Sequence, residues 1–136
     1  MHYCTNILLT WCDKQEENTT SQHHKINYIE IPVKALASSK VFFNQVFGWK
    51  FVDYGDDYAA IIGAGIDGGL YVSEHNVSAD KGSVLVVLYS NDLVKSQDLI
   101  VSAGGTIKTP TFEFPGGHRF HFYDGNHNEY AMWSDK

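Results

Sequence analysis

The stretch 26–51, INYIEIPVKALASSKVFFNQVFGWKF, sets a pattern that the chain repeats. Ile29, Ile31 and Val33 alternate with Tyr28, Glu30 and Pro32, the period of two that marks a half-buried strand. Val41, Phe42, Val46 and Phe47 then fall on one face of a helix, with Lys40, Asn44 and Gln45 off it. Ser38 or Ser39 is placed to cap that helix, and Gly48 to end it. Extended segments follow at Lys50 to Tyr54 and Tyr58 to Ile62, with a Gly55-Asp56-Asp57 turn between them. The loop from Gly63 to Gly69 contains a GxG, but a strand, Leu70 to Ser73, follows where a dinucleotide fingerprint needs a helix.

After a polar connector the pattern starts again. Ser83 to Ser90 (SVLVVLYS) reads as an apolar strand, and Asp92 as the cap of a helix over Leu93 to Ala103 that Gly104-Gly105 ends. Thr106 to Thr109 is extended, and Thr111 to Phe114 is a further strand or edge segment bounded by Pro110 and Pro115. His118 to Tyr123 and Glu129 to Trp133 are the last two strands. Laid over each other, the halves match at an offset of 56, with Ile29, Ile31 and Val33 on Leu85, Val87 and Tyr89, and Gly48 on Gly104. The expectation is an α+β domain over 25–136, made of two βαβββ modules (25–75 and 83–136) with a linker at 76–82, preceded by an arm at 1–24.

Strand parity then sorts the side chains. If Ile29, Ile31 and Val33 face the helices, Tyr28 and Glu30 face the other way. In the second half Val84, Val86 and Leu88 are expected against the helices, with Leu85, Val87 and Tyr89 opposite. Tyr130 and Met132 pack outward, leaving Glu129, Ala131 and Trp133 inward. Phe120 and Phe122 are core, with Arg119, His121 and Tyr123 on the reverse face. The inward set is aromatic with a few polar groups, the usual lining of a small-molecule site.

Composition narrows the classes. A net charge of −6, with only ten scattered Lys and Arg, argues against nucleic acid as a partner. No apolar run approaches a membrane span, and the Ile7 to Trp11 run lacks a basic segment before it, so a cytoplasmic protein is expected. Cys4 and Cys12 have no CxxC spacing and read as free thiols in the arm. Adjacent His23 and His24 would point different ways in an extended segment, which disfavours a metal role.

The Tyr28 to Val33 strand, the Phe42-Phe43…Val46-Phe47-Gly48-Trp49 run, Ala103-Gly104-Gly105 and the closing Asp124-Gly125-Asn126-His127-Asn128…Trp133, in this order, resemble the vicinal oxygen chelate superfamily of glyoxalases, bleomycin-resistance proteins and dioxygenases. The resemblance covers Lys25 to Lys136. It implies a curled, mostly antiparallel sheet around a cavity, helices outside, and a homodimer. It also implies metal ligands at positions that fall here on Tyr28, Leu85, Ala131 and the region Gly69 to Tyr71. Leu and Ala cannot coordinate a metal and Tyr does so rarely, so no metal and no cofactor are expected.

Three readings remain open. The first is a metal-independent protein that binds an aromatic or amphipathic small molecule through Tyr28, Leu85, Val87, Tyr89, Arg119, Glu129, Ala131 and Trp133. The second is a lyase or isomerase on a small oxygenated substrate, with Glu30 as general base, if burial favours its neutral form, and His121 or Tyr28 as acid. The plainer account of Glu30 is a structural bond to Arg119, Lys50 or a neighbouring strand, and of His121 a half-exposed strand residue. The third is an interaction module whose cavity its own side chains fill.

Overall fold

The computed structural model describes residues 21–136. Cys4, Cys12 and the apolar start of the arm lie outside the described residues. The chain forms β1 (Tyr28–Val33), α1 (Leu36–Phe47), β2 (Lys50–Asp53), β3 (Tyr58–Ile62) and β4 (Asp67–Val72). A 3-10 turn (Ala79–Lys81) leads to β5 (Val86–Tyr89), α2 (Leu93–Ser102), β6 (Thr106–Phe114), β7 (Gly117–Tyr123) and β8 (Glu129–Ser134). These are the two expected βαβββ modules in an α+β fold. The strands form two four-stranded sheets, ordered β1-β4-β3-β2 and β5-β8-β7-β6. In each, the first and last strands of the module pair in parallel and the other pairings are antiparallel.

Local sequence explains most boundaries. Gly48 takes φ 75°, the left-handed conformation that closes α1, and the Asp92 side chain accepts from the Lys95 N–H to open α2. The start of α1 differs from the expectation. Ala35 holds the N-cap position without a side-chain bond, and Ser39 lies inside the helix, its hydroxyl donating to the Ala35 carbonyl at 2.7 Å. The buried face of α1 carries Phe42 and Phe43, while Val41, expected on that face, is 54% exposed. β6 runs unbroken through Pro110, which an edge strand with two register shifts tolerates. His23 and His24 do not diverge: the segment turns at His24 (φ 64°) and the rings stack at 3.8 Å.

The helix-facing residues of both sheets meet in one core with α1 and α2. Ile31, Val33, Phe43, Leu70, Ile100 and Phe122 are among its buried members. Phe43 packs edge-on to Tyr130, and Phe47 lies 6.1 Å from Phe122, so the first helix is embedded in the second module. Register corrects the overlay of the halves. Val86 and Leu88 pack against the core while Val87 and Tyr89 are exposed, so the equivalent of Ile29 is Val86, not Leu85. A slip of one residue exchanges the faces of a strand. Val84 precedes β5 and is 86% exposed, not held against a helix as the longer strand implied.

The modules are also tied by a polar knot at the loop 124–128. Asp124 Oδ1 accepts from the backbone N–H groups of Asn126 (2.8 Å) and Asn128 (2.9 Å), and Oδ2 accepts from the Tyr130 hydroxyl (2.8 Å). Asn126 then accepts from the Lys34 N–H, and Asn128 donates to the Pro32 carbonyl and accepts from the Val77 N–H. All of these side chains are buried. The loop that resembled a family signature is thus a structural clasp between β1, the linker and β8.

Candidate functional site

The inward set divides into two clusters, one on each sheet's face opposite the helices. Among the described residues no hydrogen bond or aromatic contact joins them.

The larger cluster lies on the second module. Pairing places Val87 beside Ala131, Tyr89 beside Trp133, Trp133 beside Arg119, Ala131 beside His121 and Glu129 beside Tyr123. Leu85 lies just before β5 and is half-buried. Glu129 is 1% exposed. Its Oε2 accepts from His121 Nδ1 at 2.8 Å, and its Oε1 accepts from the Lys108 ammonium at 3.0 Å and the Ala79 N–H at 2.9 Å. Burial pushes this carboxyl up, but the bonds from His121, Lys108 and Ala79 outweigh it and hold it at about 2, below its ordinary 4.5. Lys108 also bonds Asp80 at 2.9 Å, and those two carboxylates push its ammonium above the usual value.

His121 links this centre to Arg119, whose Nη2 donates to His121 Nε2 at 2.9 Å. A guanidinium has no acceptor, so Nε2 must be the unprotonated nitrogen and Nδ1–H the donor to Glu129. The Arg119 guanidinium lies 5.9 Å from the Phe112 ring and 5.8 Å from Phe114. Its Nε is buried without a hydrogen-bond partner, a costly condition for a charged group. Trp133 stands edge-on to Tyr89 at 5.0 Å and to Phe114 at 6.2 Å, and Tyr89 donates to the Asp135 carboxylate.

The smaller cluster lies on the first module. Tyr58 reaches from β3 across β4 and donates to Glu30 Oε2 on β1 at 2.9 Å, and the Tyr28 and Tyr58 hydroxyls bond each other. Glycine at 69 permits this crossing, for a Cβ there would lie 1.9 Å from the Tyr58 oxygen. Burial first, then the bonds to Tyr28 and Glu30, push the Tyr58 phenol well above its usual value. Glu30 is exposed, not desolvated, and of the partners the plainer account offered it has one from a strand of its own sheet, Tyr58, and not Arg119 or Lys50.

The profile of the glyoxalase/bleomycin resistance protein/dioxygenase superfamily matches residues 25–132. The chain belongs to this superfamily. A search of the curated proteins gives no match. Solved members show the same fold. A glyoxalase/bleomycin resistance protein/dioxygenase family enzyme from Burkholderia phytofirmans is 12% identical, with 81% of this chain and 98% of that one covered at a TM-score of 0.68. The fosfomycin resistance protein FosX from Listeria monocytogenes is 15% identical, with 83% and 94% covered, also at 0.68. A mutant of that FosX complexed with Mn(II) and 1S,2S-dihydroxypropylphosphonic acid is 14% identical, with 82% and 90% covered at 0.67. Likeness at these identities establishes the fold alone.

The superfamily includes metal-bound members, so the donors here must be tested against a metal. Tyr28 and Ala131 lie on the faces opposite the helices, but neither they nor Leu85 form a ligand set. Among the described residues no three His, Cys, Asp or Glu side chains converge. His121 and Glu129 do meet, but Arg119 takes the His121 Nε2 lone pair and Lys108 bonds Glu129 Oε1, and both positive groups would repel a cation. The described residues do not fit the metal.

Sequence reasoning passed over Tyr58, Lys108, Phe112 and Phe114. Tyr58 and Gly69 carried a readable signal, a tyrosine and a glycine on the same face of adjacent strands, Tyr58 being paired with Tyr71 and Gly69 with Ala60. Lys108 carried none, since a register shift between Ile107 and Thr109 decides where it points.

Proposed function

We propose that this superfamily member is a metal-independent small-molecule-binding protein, taking an aromatic or amphipathic ligand with an anionic head on the Arg119 face of the second module. The observation that carries this reading is the unpartnered buried Nε of Arg119 between the Phe112 and Phe114 rings. A carboxylate would pair with the half-buried guanidinium, and the rings of Trp133 and Phe114 would cover the ligand's apolar body. Glu129 and His121 hold the guanidinium in place rather than meeting the ligand, since Glu129 is buried and its oxygens are occupied.

Calorimetric titration with benzoate and with the uncharged benzyl alcohol tests this. Benzoate should bind the more tightly, and Arg119→Met should weaken it about tenfold or more, the loss expected of a charge-assisted bond. Benzoate affinity should survive dialysis against a chelator. Equal affinity in Arg119→Met, or loss on chelation, would overturn the proposal.

A further inference from the structure

We propose that the first module carries a separate site for an organic cation, an alkylammonium or arylalkylammonium, at Tyr28, Tyr58 and Glu30. Proton counting sets the polarity. Tyr58 has one hydroxyl proton and gives it to Glu30 Oε2 at 2.9 Å. The proton shared between the two phenols therefore belongs to Tyr28, which donates to the Tyr58 oxygen. The Tyr28 oxygen is left with acceptor lone pairs only. Glu30 Oε1 has no protein donor among the described residues, and both side chains are exposed.

Every free polar position of this cluster is thus an acceptor, and the cluster carries a negative charge. The neighbours on the same face reinforce it. Asp67 is paired with Tyr28 across β1 and β4, and Tyr71 is paired with Tyr58 across β4 and β3. Lys50 shares the face but sits on β2, three strands from Tyr28 in the same row, about 14 Å away by strand spacing. A ligand for this surface must bring donors and positive charge, and the phenol rings offer a cation their π-faces. Gly69 makes the arrangement specific, because it alone lets the Tyr58 ring cross its strand.

The full chain is titrated with benzylammonium and, separately, with benzyl alcohol of the same shape, and backbone amide shifts are followed by NMR. Benzylammonium should shift the amides of Tyr28, Glu30, Tyr58 and Gly69 and bind more tightly than the alcohol. Glu30→Gln, an exposed and isosteric change, should weaken it at least about tenfold, and Tyr58→Phe by less. Equal binding of cation and alcohol, unchanged affinity in Glu30→Gln, or shifts confined to the second module would each overturn the proposal. Benzoate, titrated in parallel, reports on Arg119 alone, so the two sites succeed or fail separately.

Discussion

Glu30 and Glu129 are both strand carboxylates on a face turned away from the helices, yet their surroundings differ. Glu129 is 1% exposed and accepts from His121, Lys108 and Ala79. Glu30 is exposed and accepts from Tyr58. A buried carboxylate persists only where several donors replace its water, and its lone pairs are then spent. An exposed one needs few partners and keeps lone pairs for a ligand. Position on a strand therefore does not tell a scaffold group from a binding group; the number of donors around it does.

The sharpest way to break this contrast is to remove each carboxylate. Glu129→Ala should cost about 3 kcal/mol in urea unfolding, because it strands the His121 Nδ1–H and the Ala79 N–H and takes from Lys108 one of its two carboxylates. Its acid sensitivity should differ as well. The Glu129 carboxyl is held at about 2 in the folded state, below its ordinary 4.5. Its contribution is therefore full above the ordinary value and is lost as pH falls through about 2. Urea midpoints taken from neutral pH downward should fall more steeply for the unaltered chain than for Glu129→Gln; parallel curves would mean the donors do not hold the charge.

Two adjacent glycines extend the comparison at smaller scale. A Cβ at Gly68 would meet the Ile29 carbonyl at 2.8 Å, a backbone atom that cannot move aside. Gly68→Ala should cost about 2 kcal/mol of stability. A Cβ at Gly69 would meet only the far end of Tyr58, which can swing away. Gly69→Ala should cost about 0.5 kcal/mol, while the Tyr58 phenol, followed by ultraviolet absorbance, returns toward its ordinary titration. Glu30→Gln should be the mildest, within about 0.5 kcal/mol in the same urea assay. A large loss there would place Glu30 with Glu129 among the scaffold groups.

The modules, the Gly48 cap and the Asp92 cap were legible because each depends on neighbours in sequence. The division of each strand into two faces was legible too, as period two survives any tertiary context. The site was less so. Arg119 was assigned to the right face, but its lack of a partner for Nε depends on where Phe112, Phe114 and His121 come to rest, and those positions follow register shifts in β6. The direct contacts of the expected inward set fall into two clusters, because parity says which face a residue joins and not which side chains on that face touch. Ser39 looked like a cap from its type alone; its burial against Asn126, 87 positions away, overrode local preference.

The Asp124 clasp bears on how the chain is made. The bond from Asn128 to the Pro32 carbonyl joins positions 96 residues apart. The first module leaves the ribosome first, but the end of β1 has no partner for that carbonyl until synthesis passes Asn128. Phe43 and Phe47 wait likewise for Tyr130 and Phe122. Such distant closures fold slowly, so the aromatic helix face of the nascent first half stays uncovered until the second module has been made.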